Sequence, residues 1–275
     1  VERATLSTPE FPLHRHGFAE ITVIVGGEGL HVEPGARLPL RAGDAFVFLG
    51  DDAHGFADCR NLELFNVMYR PQALGPFERA LTRLPGFHAL FRLEPRCRSH
   101  GRLLSLSRLA TPDLDRVLDR LRALLEEHRN RKPGFEAMMT ALFGALVTDL
   151  ARCYGRRTSR AEPALLRLGR SLGHLEQHCA EPLRLATLAS FSHLSINHFL
   201  RLFRQATGDS PVQYRLRAQI RRACDLLREP DLRIGEIAAR CGFEDSNYFT
   251  RQFRRIAGLS PRDYRAQRGT EGESR

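Results

Sequence analysis

The second half of this chain repeats itself, and that repeat restricts the fold more than any other feature. Leu185, Leu188 and Ala189 recur as Ile234, Ile237 and Ala238 at an offset of 49 residues. Phe199, Arg201, Phe203, Arg204, Gly208, Ser210, Pro211 and Tyr214 recur as Phe249, Arg251, Phe253, Arg254, Gly258, Ser260, Pro261 and Tyr264 at an offset of 50. Identities at this density indicate two copies of one supersecondary unit. The one-residue change of offset falls between the two blocks, where a turn absorbs it. Each copy reads as a helix, a tight turn and a second helix. In the second copy the spacing predicts a short helix over 234–240 ended by Cys241-Gly242, with the glycine supplying a left-handed turn residue. Phe243 anchors the turn, and Asp245 or Ser246 caps the next helix, which buries Phe249, Phe253 and Ile256.

The opposite face of that helix carries Ser246, Asn247, Thr250 and Arg251. These are hydrogen-bonding side chains one turn apart at a helix N-terminus, as a helix-turn-helix needs to read base edges in the major groove of DNA. The equivalent face of the first copy carries Ile196, Asn197, Leu200 and Arg201, whose apolar members suit thymine methyl groups. A helix from Ser210-Pro211 to about Arg228 joins the copies. Roughly 18 residues at about 1.5 Å rise span about 27 Å, near the roughly 34 Å of one DNA turn. Both recognition helices can then enter successive major grooves on one face. Arg204, Arg215, Arg217, Arg254 and Arg255 suit phosphates, which position a protein without specifying sequence.

Charge runs the same way. The 275 residues carry a net +10, with 22 arginines against 13 acids (+9) in residues 156–275 and only +1 in residues 1–155. A helical bundle with a merely solvated basic face leaves the repeat and this split unexplained. The length favours two domains, and 42% hydrophobic with 27% charged residues excludes a disordered chain. No apolar run approaches the roughly 20 residues of a membrane helix, and no signal-peptide pattern is present. The six cysteines (59, 97, 153, 179, 224, 241) form no CxxC pair. They read as reduced thiols of a cytoplasmic protein, neither a zinc ribbon nor a disulfide frame.

The first half has a different texture. Within residues 11–70, Glu20-Ile-Thr-Val-Ile-Val25, Gly29-Leu-His-Val32 and Asp44-Ala-Phe-Val-Phe-Leu49 read as strands, punctuated by turns at Gly26-Gly27, Pro34-Gly35 and Gly50-Asp51-Asp52. Short strands at this spacing predict a sandwich or barrel. At Thr111-Pro112-Asp113 an N-cap, a first-turn proline and an acid open a helix with Leu114, Val117, Leu118, Leu121, Leu124 and Leu125 at helical spacing. A second helix follows with Phe135, Met138, Met139, Leu142, Phe143, Leu146, Val147 and Leu150 on one side. That stripe is broad enough to pack on the first helix and still meet a partner subunit; a wholly intramolecular core accounts for it equally well. The polar stretch Gly155-Arg-Arg-Thr-Ser-Arg-Ala161 marks the domain boundary.

A second constellation lies in this half. His14, His16 and Glu20 share parity, so on one unbulged strand their side chains lie on one face, while Arg15 points outward to solvent. His54 follows a strand bounded by Gly43 and Gly50 that returns beside the first. Three imidazoles and a carboxylate suit a divalent transition metal; inward polar groups such as His16, Glu20 and His54 equally suit the hydroxyls of a sugar.

At this point resemblances become visible. Cys241-Gly-Phe-Glu-Asp-Ser-Asn-Tyr-Phe-Thr-Arg-Gln-Phe253 with Gly258-Leu-Ser-Pro-Arg-Asp-Tyr264 closely resembles the signature of the AraC/XylS family of bacterial transcription regulators, over about residues 165–268. The resemblance implies that Asn197 and Arg201, with Ser246, Asn247, Thr250 and Arg251, face bases, and that the second unit recruits RNA polymerase, for which Glu236 and Asp245 are the acidic candidates. Both acids serve equally as helix-start acids. Ser192 and His193 depart from the family's usual Ala-Gly turn. The His14, His16, Glu20 and His54 set resembles that of the cupin barrel, with Leu49 and Asp51 replacing the usual Pro and Gly of the second motif. Phe11-Pro-Leu-His-Arg-His16, Glu20–Val25, His31-Val32 and the run Asn61–Pro71 resemble the L-rhamnose operon activators.

The expectation is therefore an α+β multidomain chain: an N-terminal cupin-like β-barrel that binds the effector (1–105), a helical dimerisation pair (106–155), a linker (156–162) and a C-terminal all-α double helix-turn-helix (163–275). Its expected work is sequence-specific regulation of transcription, as an activator, in response to a sugar such as rhamnose held by His14, His16, Glu20 and His54. Base readers are expected at Asn197, Leu200, Arg201, Ser246, Asn247, Thr250 and Arg251, and phosphate contacts at Arg204, Arg254 and Arg255. The expected partners are double-stranded DNA, the small-molecule effector, RNA polymerase and a second copy of the chain, with no membrane, no cofactor and no catalysis. The competing readings are a metal-dependent cupin enzyme fused to a DNA-binding tail, with His14, His16, Glu20 and His54 as ligands, and an architectural DNA-binding protein without a ligand.

Overall fold

The computed structural model describes residues 1–50, 52–99, 107–156 and 164–272. It divides into two units, Val1–Arg170 and Ser171–Arg275. The expected 105/106 boundary lies outside the described residues, as does the expected linker from residue 157 onward.

Among the described residues the first unit holds one antiparallel sheet of seven strands: β1 (Glu2–Leu6), β2 (Glu10–His14), β3 (Ala19–Glu33), β4 (Ala36–Leu40), β5 (Asp44–Leu49), β6 (His54–Tyr69) and β7 (Ser107–Arg108). The order is β1-β6-β3-β5-β7, with β2 also on β6 and β4 also on β3. The long strands β3 and β6 pair along most of their length, from Ala19↔Tyr69 to Val32↔Gly55. Their first and second halves carry different outer neighbours. The half of β3 at Ala19–Val23 lies beside β5, and the half at Gly29–Glu33 beside β4.

The reading of Gly26-Gly27 as a turn is corrected here. Both residues lie inside β3, where the β3–β6 register shifts between Ile24 and Leu30. Gly27 has φ +76°, and a Cβ there would stand 2.0 Å from Asn61 O. A bulge at a residue without a side chain lets one strand bend and change neighbours without ending. The separate strands expected before and after the glycines are thus one.

Strand period explains the continuous apolar run Ile21–Val25. Odd positions of β3 (Ala19, Ile21, Val23), Ala45 and Val47 of β5, and Phe65, Val67 and Tyr69 of β6 form one core with the helices that follow the sheet. Even positions, with Ile24, Phe46, Phe48, Leu62 and Leu64, form a second core on the other face. A sheet covered on both faces loses the apolar–polar alternation of a half-exposed strand.

The helical part begins with short pieces, α1 (Glu78–Leu81), α2 (Pro85–Phe87) and α3 (Glu94–Ser99), then α4 (Thr111–Asn130) and α5 (Phe135–Gly155). Thr111 was expected as N-cap; the cap position is Ala110, and no side chain caps the helix. All six apolar residues expected on α4 are buried or half-buried, whereas α5 is buried only from Phe143 onward. Residues 164–170 of α6 (Ala164–Gln177) add Leu166 to the same core.

The second unit contains α7 (Leu185–Phe191), α8 (Ile196–Thr207), α9 (Pro211–Leu226), α10 (Ile234–Arg240), α11 (Ser246–Ala257) and α12 (Pro261–Gly272). Its two copies repeat in geometry as in sequence. Phe199, Phe203, Phe249 and Phe253 are completely buried. Tyr214 meets Phe203 edge-on at 5.7 Å, and Tyr264 meets Phe253 edge-on at 5.5 Å. Gly208 and Gly258 end α8 and α11 at φ +79° and +82°. The turns also correspond: Leu194 N–H donates to Ala189 O, as Phe243 N–H donates to Ala238 O. Both helices then open at their caps, Ser195 and Asp245, so the residue added in the second copy is Glu244.

The left-handed position of the turn is filled differently. It is Gly242 (φ +81°) in the second copy and His193 (φ +52°) in the first. Left-handed backbone costs a residue with a side chain about 1–2 kcal/mol. We therefore expect His193→Gly to stabilise the second unit by about 1 kcal/mol. Gly242→Ala, whose Cβ would stand 2.2 Å from Ala180 O, should destabilise it by about 2 kcal/mol or more. Urea unfolding of the full chain checks both signs.

Candidate DNA-reading faces and sensor site

The amphipathic spacing of α8 and α11 buries their phenylalanines and leaves one face of each to solvent. Asn197, Arg201 and Arg204 on α8, and Ser246, Asn247, Arg251, Arg254 and Arg255 on α11, are exposed; Leu200 and Thr250 are half-buried. The expected base-reading and phosphate-binding residues thus occupy available surface in both copies. The Thr250 hydroxyl donates to Ser246 O within its own helix (2.9 Å), so toward a ligand it offers an acceptor and a methyl group. Ile256, expected in the core, is 36% exposed; it lies beyond the stripe set by Phe249 and Phe253.

Two arginines expected at phosphates are engaged internally. Arg215 is half-buried and donates to Cys179 O at 2.8 Å, so it ties α9 to the end of α6. Arg217 pairs with Asp209 at 3.2 Å. Helix α9 ends at Leu226, two residues short of the expected Arg228, so its 16 residues span about 24 Å. A capping box between Ser210 and Gln213 fixes its start.

The two acids singled out for a polymerase contact are both at work in helix starts. Glu236 accepts from Arg233 N–H at 2.9 Å. Asp245 Oδ1 accepts from Asn247 N–H (2.7 Å) and Tyr248 N–H (3.2 Å). We expect Asp245→Ala to cost about 1 kcal/mol of stability, while Asp245→Asn retains the cap and most of the stability. Denaturation of the two variants side by side measures the difference.

In the first unit His14, His16, Glu20 and His54 do converge, though not from one strand. His14 ends β2, His16 lies in the connection to β3, Glu20 is the second residue of β3, and His54 opens β6. Parity along a single strand was therefore the wrong reason for the right grouping. Sheet pairing brings the set together, with His14 opposite His54 and Glu20 opposite Phe48 and Met68. Arg15 is exposed, as expected. Ring centroids stand 4.5 Å apart for His14–His54 and 5.0 Å for His16–His54. His16 stacks on Phe18 at 4.0 Å, and His54 stacks on Phe48 at 3.7 Å. Glu20 is 4% exposed. Burial pushes its carboxyl up from the ordinary value, while the Thr22 hydroxyl and then the His16 and His14 charges pull it back down.

Sequence reasoning missed the polar row beside Glu20. The Thr22 hydroxyl, itself fully buried, lies 3.1 Å from Glu20 Oε1 and 2.9 Å from Asn66 Oδ1. The signal was available in the even parity that Thr22 shares with Glu20. His31 is also fully buried, 5.0 Å from Phe46 and 5.3 Å from Phe48.

These two units have the make-up of a DNA-binding transcription regulator with a ligand-binding domain. The comparisons specify the family. Residues 1–146 match the model of the AraC-like ligand binding domain, and residues 188–267 match a helix-turn-helix domain model. The HTH-type transcriptional activator RhaR of Yersinia pseudotuberculosis serotype O:3 (strain YPIII) is 32% identical over 260 residues, covering 93% of this chain and 84% of that protein. RhaR of Pectobacterium atrosepticum is 30% identical over 261 residues, covering 94% and 87%. The DNA-binding domain of AdpA, solved with a target DNA, is 31% identical, with a TM-score of 0.37 over 40% of this chain and 98% of that one. The chain belongs to the AraC/XylS family of transcription regulators. No helix among the described residues is long and apolar enough to cross a membrane.

Proposed function

We propose that the chain activates transcription in the cytoplasm in response to a sugar, with rhamnose as the first compound to try. The observation that carries this reading is the duplicated exposed face on α8 and α11, in a chain that also holds a sheet with polar side chains buried on one face. Asn197, Leu200 and Arg201 of one copy and Ser246, Asn247, Thr250 and Arg251 of the other read base edges. Arg204, Arg254 and Arg255 hold phosphates. Relatives named RhaR support the sugar, as does the row of buried Glu20 and Thr22 and half-buried Asn66 next to His14, His16 and His54, whose polar groups suit sugar hydroxyls.

Residues 1–105 act as the sensor, 106–155 as the dimerising pair and 163–275 as the DNA-binding part. A second copy of the chain docks on the N-terminal half of α5, where Met138 is 50% exposed and Phe135, Met139 and Leu142 are half-buried. Effector binding changes how the two DNA-binding parts are presented, so that the dimer occupies adjacent half-sites and contacts RNA polymerase. Coupling of this kind is reciprocal: the sugar tightens the operator by the factor by which the operator tightens the sugar.

Two outcomes test the reading. Arg251→Ala should lose discrimination among operator variants at one position, worth about 1–3 kcal/mol, while Arg255→Ala should weaken all sequences alike and lower the salt slope by about 1. Electrophoretic mobility shifts over a salt series separate the two. In sedimentation at micromolar concentration the parent chain should run as a dimer and Met138→Glu as a monomer.

A further inference from the structure

The second unit holds an imidazole pair that neither base reading nor effector binding uses. His178 directly follows α6, and its N–H donates to His174 O at 2.9 Å. The two side chains therefore stand one helical turn apart on one face. Their rings stack at 4.3 Å with 29° between the planes, and Phe191 of α7 lies 5.1 Å from the His174 ring. Both rings line a cavity of about 410 Å³ at the corner from α6 into α7, together with Glu181, Arg184, Thr187 and Arg215.

Neighbouring groups decide where the protons of this pair sit. His178 Nδ1 stands 2.8 Å from Glu181 Oε1. A carboxylate only accepts, so Nδ1 carries the proton, and in the neutral ring Nε2 keeps its lone pair. A carboxylate on the far nitrogen is also what orients metal-binding histidines and raises their basicity. Burial, and then the His178 charge, hold the His174 imidazole below its ordinary value, against a smaller opposing pull from Glu181. His174 is thus neutral at neutral pH and offers a lone pair of its own. Among the described residues, neither His174 nitrogen nor His178 Nε2 has a hydrogen-bond partner.

We infer that His174 and His178 chelate a divalent transition-metal ion at the C-terminal end of α6, with Glu181 as the positioning residue behind His178. Two histidines four residues apart on one helix face are the spacing by which a helix grips zinc. Imidazole donors suit zinc, copper or nickel over magnesium or calcium. Donor atoms about 2.0–2.1 Å from one zinc ion stand about 3.4 Å apart, so rings already stacked at 4.3 Å close on it by small turns. The cavity leaves room for the waters that complete the shell, and a cation here meets the negative end of the helix dipole. The bound ion fastens the last turn of α6, and with it the entry to the first helix-turn-helix. Nothing in this site depends on the sugar reading.

The test is equilibrium dialysis of the full chain, stripped with a chelator, against zinc(II). The parent should take up one equivalent more than His174→Gln or His178→Gln. The same loss of one equivalent should appear when His178→Gln is placed in a His54→Gln chain, which separates this site from the imidazoles of the first unit. Glu181→Ala should keep the equivalent but weaken its binding about tenfold. Zinc should also raise the melting temperature of the parent more than that of His178→Gln. Melting of each metal-free variant shows that it is folded, and exposed His178 keeps the test open should His174→Gln fail to fold. Equal uptake by the parent and His178→Gln would overturn the site. Unchanged affinity in Glu181→Ala would overturn the part given to Glu181. Mobility shifts with and without rhamnose, run on the same samples, report on the sugar reading separately.

Discussion

Burial of β3, β5 and β6 on both faces is the constraint on which the first unit depends. One parity must meet α4 and α5, and the other must fill the interior with Phe46, Phe48, Leu62 and Leu64. Any polar residue of the inward parity is then shut away from water and needs a partner. Glu20 and Thr22 meet that need with each other and with half-buried Asn66. The same packing that makes the sheet stable thus produces a rigid polar interior, which a sensor requires if one pattern of hydroxyls is to be distinguished from another.

The second unit answers to a different constraint, the repetition of one small core. The pairs Phe199–Phe203 and Phe249–Phe253 sit at 5.4 and 5.7 Å with interplanar angles of 59° and 60°. Removing one such ring to alanine costs about 3–5 kcal/mol. Because the inner face is committed in this way, the outer face of α8 and α11 is free to differ. It does differ, apolar Ile196 and Leu200 standing where the second copy has Ser246 and Thr250. Two copies with one scaffold and unlike faces are suited to two unlike half-sites.

Much of this was legible in the sequence, and the exceptions have physical causes. Repetition locates helices α7, α8, α10 and α11, because identities at fixed offset need no knowledge of tertiary context. His14, His16, Glu20 and His54 were recognisable by residue type, yet parity assigned three of them to one strand. What groups them is pairing of β2 and β3 on β6, a non-local fact. Gly26-Gly27 looked like a turn because glycine marks bulges and turns alike, and only the partner strand decides between them. Arg215 looked like a phosphate ligand until its carbonyl partner 36 residues away was visible. Thr22 and Asn66 carried no motif at all.

The central claim is that sensing in one unit is coupled to sequence reading in the other. The most direct measurement is sequencing of genomic fragments captured by the purified full chain with and without a panel of sugars, rhamnose included. The account predicts enrichment of paired repeats just upstream of promoters, changed in degree by one sugar of the panel. Capture that no sugar alters, or that shows no sequence preference under any condition, would contradict it.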